Sequence, residues 1–364
     1  INQVVFMKKM NKHMSNTAII GTVGVPASYG GFETLVENLI ETEKVNYIVY
    51  CSSKNYPKKL STYKNAKLVY IPLSANGISS VIYDAFSILH AIVFRKVNTL
   101  LILGVSGCFI LPIIKKISSV KIITNIDGVE WRRDKWGRFA KKFLKWSEKI
   151  AVKNSNIVIS DNKEIANYVC SEYMVNSQVI AYGGDHSLVF ETKRCNDVEN
   201  SESKYALALC RIEPENNVHV ILESFSKVTK KLKFIGNWGS SDYGRSLKKK
   251  YSKYNNIEII DPIYDVEQLN IIRSGCEFYV HGHSAGGTNP SLVEMMFFAK
   301  PIICFDCKYN RYTTFEQACY FRDLKDLIIK IESPKERTQG VKLKSLAEKH
   351  YTWNRIREQY EQLL

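Results

Sequence analysis

Residues 18–39, AIIGTVGVPASYGGFETLVENL, decide how the rest of the chain is read. The stretch opens on Ala18, Ile19 and Ile20, the apolar run of a buried strand. A loop with Gly21, Gly24, Pro26, Gly30 and Gly31 follows. Phe32, Leu35, Val36 and Leu39 then share one helical face, with Glu33 and Glu37 polar. Strand, glycine loop and helix in this order aim backbone N–H groups at a helix N-terminus, where an anion is stabilised. Gly30 and Gly31 lack a Cβ, so a diphosphate could approach the backbone closely. The GxGxxG dinucleotide fingerprint is not met, because Gly21-Thr22-Val23-Gly24 breaks its offsets. A glycine-rich turn with no ligand is the other reading of this loop taken alone.

The same alternation spreads in both directions. Strands are expected at 47–51, 67–71, 99–103, 120–126, 156–160 and 179–182, with a helix at 79–94. Strands alternating with helices imply a parallel sheet covered on both faces. The apolar run 97–114 is long enough to be weighed as a membrane span, but Gly104, Ser106, Gly107 and Pro112 interrupt it; strand, loop and helix fit better. After a polar stretch that begins at Gly183-Gly184-Asp185-His186, the pattern restarts. Strands are expected at 205–210, 232–235, 257–260, 278–281 and 301–305, with helices between them and two more at 343–350 and 353–364. A chain of 364 residues, 45% hydrophobic, suits two domains with separate cores. The expected division is a flexible basic N-terminus at 1–16, a first domain at 17–185, a linker at 186–204, a second domain at 205–345, and a C-terminal helix at 346–364 free to pack back on the first domain.

The net charge of +15 favours anionic partners: nucleic acid, an acidic membrane surface or phosphorylated substrates. Nine Lys and Arg lie between 132 and 153, opposed by Asp134 and Glu148. Phe139, Phe143, Trp146 and Ile150 recur there at helical spacing. Such a helix is either a solvated face over an ordinary core stripe or a surface that docks on anionic lipid headgroups. No helix-turn-helix, zinc-finger or RNP-like motif speaks for nucleic acid. The first residues, INQVVFMKKMNKHMSN, do not read as a signal peptide. The nine cysteines are scattered and read as reduced and buried, among them Cys170 and Cys319 on expected helices. Cys304-Phe305-Asp306-Cys307 lacks the second pair of a zinc site, and no carboxylate completes a metal set around His281 and His283.

Three strand-end loops in the second half carry chemistry. Arg211-Ile212-Glu213-Pro214-Glu215-Asn216-Asn217 offers a guanidinium able to grip phosphate with two bonds. Gly236-Asn237-Trp238-Gly239 has Arg245 nearby. His281-Gly282-His283-Ser284-Ala285-Gly286-Gly287-Thr288-Asn289-Pro290 leads into a helix, a second anion-ready arrangement. Glu294, one turn into that helix, can accept hydrogen bonds from ribose hydroxyls.

GTVGVPASYGGFETLVENL, NIDGVEWRRDKWGRFAKKFLKWSEKIAV, RIEPENN and HGHSAGGTNPSLVEMM together resemble the GT-B glycosyltransferases of family 4. More narrowly, they resemble the bacterial rhamnosyltransferase-type group that builds capsular and exopolysaccharide repeat units. YTWNRIREQY, at 351–360, is similar to that group's ending. The resemblance implies an α/β protein of two doubly wound Rossmann-like domains facing a cleft, with the donor held mainly by the second domain and the acceptor mainly by the first. Gly30 and Gly31 would face the donor diphosphate, Arg211 would pair with it, and Glu294 would hold the ribose. Gly286, Gly287, Thr288 and Asn289 would contact phosphate and sugar, and Tyr264, beside Ile263, would lie at the base. Asp127 would be a catalytic base or an acceptor anchor, in an acceptor set with Tyr29, Phe32, Glu33, Glu130 and Trp131.

Two positions depart from the wider family-4 pattern. Asn216 stands where a Lys is usual, and Gly286 where the first of two Glu residues is usual. The missing sugar contact would then come from His283, Thr288 or Asn289, and the missing phosphate charge from Arg245 or His281. No DxD occurs, so no metal or other cofactor is expected; positive charge and N–H dipoles would stabilise the leaving diphosphate. The expected function is transfer of a sugar, rhamnose from dTDP-rhamnose by resemblance, to a lipid-diphosphate-linked saccharide. The expected place is the cytoplasmic, inner face of the cell membrane. A GT-B-fold sugar-nucleotide epimerase or hydrolase is the alternative.

Overall fold

Strand β1 (Asn16–Ile20) is buried at every residue but its first, which suits a strand covered on both faces. In the computed structural model, which describes residues 15–27, 30–132, 136–188, 204–333 and 336–364, β1 lies parallel between β2 (Asn46–Ser52) and β5 (Thr99–Leu103). With β3 (Thr62–Tyr63), β4 (Ala66–Ile71), β6 (Lys121–Asn125), β7 (Ile157–Ser160) and β8 (Gln178–Val179) they form an eight-stranded sheet in the order β3-β4-β2-β1-β5-β6-β7-β8. Only the β3–β4 pair is antiparallel among these ladders. The helices are α1 (Gly31–Leu39), α2 (Ser79–Val93), α3 (Leu111–Ile117), α4 (Arg138–Asn154) and α5 (Lys163–Tyr173). From β1 the chain winds one way to β2 and β4, then jumps back to β5 and continues the other way. The order therefore reverses between β1 and β5, where doubly wound sheets bind ligands.

This sheet belongs to the first of two compact units, made of residues 1–161, 165–180 and 357–364. The last strand is shorter than the expected 179–182. Ile180 still donates its N–H to the Ser160 carbonyl, but from Ala181 onward the chain belongs to unit 2. The apolar run 97–114 resolves into β5, a 3-10 turn at Cys108–Ile110 and the start of α3. Among the described residues no helix is long and apolar enough to cross a membrane.

Unit 2, residues 162–164 and 181–356, is a six-stranded parallel sheet ordered β11-β10-β9-β12-β13-β14. Its strands are β9 (Tyr205–Leu209), β10 (Lys231–Ile235), β11 (Ile257–Ile260), β12 (Phe278–His281), β13 (Ile302–Phe305) and β14 (Cys319–Phe321). Alternate residues of β9 feed opposite cores: Ala206 and Ala208 join Phe225, Phe234 and Trp238, while Tyr205 and Leu207 join Tyr279, Leu292 and Met296. The order reverses between β9 and β12. The covering helices include α6 (Val218–Phe225), α7 (Asp242–Tyr251), α8 (Val266–Gly275), α9 (Pro290–Met296), α10 (Lys308–Thr313), α11 (Leu324–Glu332) and α12 (Arg337–His350), with α13 (Trp353–Glu361) last.

Residues 183–186, which begin the polar stretch between the two halves, are packed into unit 2. Gly184 donates its N–H to the Tyr351 carbonyl at 2.9 Å, and Trp353 donates its N–H to Asp185 Oδ1 at 2.8 Å. A Cβ on Gly183 would stand 2.5 Å from the Trp353 ring, so only glycine fits. Residues 189–203 of the expected linker lie outside the described residues. At the other end, Arg357 donates Nε to the Asn38 carbonyl at 2.9 Å and Lys44 pairs with Glu361 at 2.9 Å, both within unit 1. The described cysteines are free thiols; Cys170 is exposed on α5, against the expectation of burial, and Cys319 lies on a strand.

Candidate active site

In unit 2 two loops leave the sheet where its order reverses. Arg211 follows β9, and residues 282–289 follow β12. They are locked together by one backbone and two side-chain hydrogen bonds. Asn217, at φ 50°, donates Nδ2 to the Gly282 carbonyl at 2.8 Å. Ser284 gives its N–H and its hydroxyl to the Glu215 carbonyl at 3.0 and 2.8 Å. A Cβ on Gly282 would lie 2.2 Å from the Asn216 carbonyl oxygen, which fixes glycine there. Asn216 is buried and donates Nδ2 to the Arg211 carbonyl at 2.7 Å. Where the wider pattern has a Lys, this chain thus has a clamp on the Arg211 backbone. Arg211 itself is exposed and has no ion-pair partner among the described residues.

The other expected donor residues divide by what already engages them. Gly286 has φ 104° with open space where a Cβ would be, a backbone that L side chains rarely adopt. The Glu of the wider pattern is therefore excluded by the loop's own conformation. Gly287 follows it, half-buried. Asn289 caps α9, its Oδ1 accepting from the Ser291 N–H and hydroxyl at 3.1 and 2.7 Å. Thr288 is buried and accepts from Asn162 Nδ2 at 3.4 Å. Arg245 donates to the Gly239 carbonyl and to Asp242, both at 2.7 Å, so its charge is matched within its own turn. His281 is fully buried, and burial pushes its pKa down to about 3. It is neutral and adds no charge for a phosphate; its ring stacks on His283 at 4.3 Å. Tyr264 is exposed. Glu294 is held by the buried Arg273 through Oε2, and its Oε1 lies 3.5 Å from His186 Nε2. Trp353 Nε1 donates to His186 Nδ1 at 2.8 Å, which leaves the Nε2 hydrogen facing Glu294.

In unit 1 the glycine loop after β1 meets the loop after β5. A Cβ on Gly21 would strike the Leu103 carbonyl oxygen at 1.9 Å, and one on Gly104 would touch Phe32. The first turn of α1 has no side-chain cap at Gly30, and Gly31 opens the helix. Glu33, expected to meet an acceptor, is buried and turned back on the loop. Its Oε1 accepts from the Thr22 hydroxyl at 3.0 Å and the Val23 N–H at 2.8 Å. Asp127 is half-buried beyond β6 at φ 58°. Its N–H donates to Asn125 Oδ1 at 2.9 Å, and Asn125 Nδ2 donates to the Tyr360 hydroxyl at 2.8 Å. On the same loop Glu130 accepts from Trp136 Nε1 at 3.0 Å, and Trp131 Nε1 faces the Tyr168 hydroxyl at 3.3 Å. Tyr29 lies outside the described residues. Among those described, no group of three or more His, Cys, Asp and Glu is placed to hold a metal ion.

Several solved structures share this architecture along nearly their whole length. Sucrose-phosphate synthase from Thermosynechococcus elongatus matches with TM-score 0.79 at 13% identity, covering 96% of this chain and 98% of that one. Anabaena Alr3699/HepE in complex with UDP-glucose matches with TM-score 0.71 at 11% identity, covering 96% and 99%. The catalytic domain of starch synthase IV from Arabidopsis thaliana gives 0.68 at 10%, covering 96% and 98%. At these identities the likeness is one of fold. Residues 189–318 match the family described as glycosyl transferases group 1. The chain has the GT-B fold, and its second half carries a glycosyl transferases group 1 domain. Residues 14–185 match a domain of unknown function, DUF1972. No curated protein matches the chain at a significant level.

Three positioning contacts have no counterpart in sequence spacing. Arg273 beneath Glu294, Asn125 beneath Asp127 and Asp84 beneath the β5 loop each meet a partner from a different element. Asp84 is 4% exposed and accepts a short hydrogen bond from Ser106. Burial, opposed by that bond, raises its pKa from 3.8 to about 7. A raised carboxyl pKa means that the folded chain binds the proton more tightly than the unfolded one. Its stabilising share is complete below about pH 4 and is lost as pH rises through about 7. The thermal midpoint of unit 1 is therefore expected to fall from pH 5 to pH 8 by about 5 °C or more. Asp84→Asn should flatten that fall. Melting curves across this range check it, and parallel profiles for both proteins would remove Asp84 as the cause.

Proposed function

We propose that this chain is a glycosyltransferase that moves rhamnose from dTDP-rhamnose onto a lipid-diphosphate-linked saccharide at the inner face of the cell membrane, in the synthesis of a cell-surface polysaccharide. The observation that carries the donor half is Arg211, an exposed guanidinium at the end of β9, on a loop locked to the one that bears Gly286 and Gly287. The acceptor oxygen attacks the anomeric carbon, the bond from that carbon to the diphosphate breaks, and its electron pair leaves with the diphosphate. Arg211 and nearby N–H groups offset that charge without a metal ion. Asp127 takes the acceptor's hydroxyl proton. Anabaena Alr3699/HepE, seen with UDP-glucose, supports a nucleotide-sugar donor. Rhamnose and the lipid-linked acceptor rest on the motif resemblance and on the cationic face of α4.

The test is turnover of a panel of nucleotide sugars, with and without a short-chain lipid-diphosphate sugar, followed by product mass. A gain of one deoxyhexose on the lipid, from the dTDP donor alone, is expected. Transfer of another sugar would overturn the rhamnose assignment. Donor conversion with no acceptor present would move the reading to an epimerase or hydrolase.

A further inference from the structure

Helix α2 is apolar on two sides. Toward the sheet it buries Tyr83, Ala85, Ser87, Ile88 and Ala91. Away from it stand Ile78, Ile82, Phe86, Leu89, Val93 and Phe94, each between 40 and 83% exposed. At about 100° per residue the first five fall within an arc of roughly 80°. A surface helix ordinarily turns polar side chains to that side, and a contiguous exposed apolar patch marks an interaction site.

The neighbouring helices add apolar tips and charge of one sign. Right-handed crossovers from β4 to β5, β6 and β7 place α2, α3 and α4 on one face of the sheet. The turn Cys108–Ile110 packs against both α2 and α4, and α3 packs on α4. Exposed Ile113 and Ile117 flank Lys115 and Lys116 on α3; exposed Phe139 and Trp146 stand among the lysines of α4. The acidic residues of these three helices are Asp84 and Glu148, and both are buried. Glu148 faces inward, accepting from the hydroxyls of Tyr168 and Tyr173 at 2.6 and 2.5 Å. These three helices therefore present cations and no carboxylate of their own to solvent; the neighbouring α5 sets Glu172 against Lys145 at 3.0 Å and leaves the other lysines of α4 facing outward.

We propose that this face docks on an anionic phospholipid bilayer. The apolar edge of α2 enters the boundary between headgroups and acyl chains, and the cations of α3 and α4 meet lipid phosphates. The proposal deepens the lipid-acceptor reading by naming the surface and its partner. A second copy of the chain is the poorer occupant, because it would set two cationic layers against each other. Residues 1–14, with Lys8, Lys9, Lys12 and no acid, are no better matched in charge.

Flotation of the full chain with vesicles tests this, using phosphatidylcholine alone or mixed with phosphatidylglycerol. Wild type should bind the anionic vesicles. Ile82→Asp with Phe86→Asp should weaken binding by about tenfold or more. Lys142→Glu with Lys149→Glu and Lys153→Glu should also weaken it and remove the preference for anionic lipid. Both variants should keep the wild-type melting temperature and their transfer to a water-soluble short-chain acceptor. No vesicle binding by wild type, or binding untouched by the α2 changes, would overturn the proposal. So would a solution dimer that the α2 changes dissolve. Failure of wild type to transfer sugar to the short-chain acceptor would overturn the function above while leaving the vesicle result to stand by itself.

Discussion

Arg211→Ala is expected to lower sugar transfer about 10²–10³-fold and to leave the fold intact, as removal of one preorganised donor to a developing negative charge does elsewhere. The side chain is exposed, and the Asn216 clamp acts on its carbonyl rather than on its guanidinium, so the loop keeps its shape. Neither expected substitute replaces the charge. His281 is held neutral by burial, and Arg245 is matched by Asp242. Because negative charge on the diphosphate grows as the anomeric bond breaks, the loss should fall mainly on kcat rather than on donor KM. Arg211→Lys should recover about tenfold, since a point charge survives while the two-bond grip does not. Steady-state kinetics at varied donor, beside a melting curve, measure both. A loss confined to KM would make Arg211 a contact formed equally in the ground state and the transition state.

The unit-by-unit architecture was legible because it is written in local periodicity. Ala18-Ile19-Ile20, the glycines after them and the stripe Phe32, Leu35, Val36, Leu39 specify a strand, a turn and a helix without reference to distant residues. The same holds for β5 and for the β9–β12 half. What was not legible depends on partners far along the chain. Glu33 looked like a polar helix residue able to meet a ligand; its carboxylate instead closes on Thr22 and Val23. Asn216 looked like a missing Lys, yet its amide organises Arg211. The stretch from Gly183 is polar and glycine-rich, as linkers are, but Gly183 admits the ring of Trp353 and Gly184 the side chains of Val293 and Phe297, all far along the chain. Helix α2 differs again: apolar on two sides, it carries no signal in its sequence of which of them meets water.

Glu294→Ala should destabilise unit 2 by about 3 kcal/mol, the lower end of the range for leaving a buried charge unpaired. For a domain of this size that is a fall in melting temperature of about 6–12 °C. A Glu whose role was confined to a ribose would instead raise donor KM with no change in melting. The structure separates the two roles because Glu294 is 14% exposed and Arg273, which grips it from α8, is 6% exposed. Arg273 Nε already has no partner, so the carboxylate is the main compensation for its charge. Removing the acid alone strands the guanidinium under α9. Removing both charges, in Arg273→Leu with Glu294→Leu, should return most of the lost stability, since an apolar pair of similar volume carries no desolvation cost. That double variant should nevertheless stay impaired in donor KM, because neither Leu can accept from a ribose hydroxyl. Melting curves and donor KM for the two single variants and the double close the cycle. Unchanged melting in Glu294→Ala would show that the ion pair carries no stability. Recovery of donor KM in the double variant would show that Glu294 acts only by neutralising Arg273.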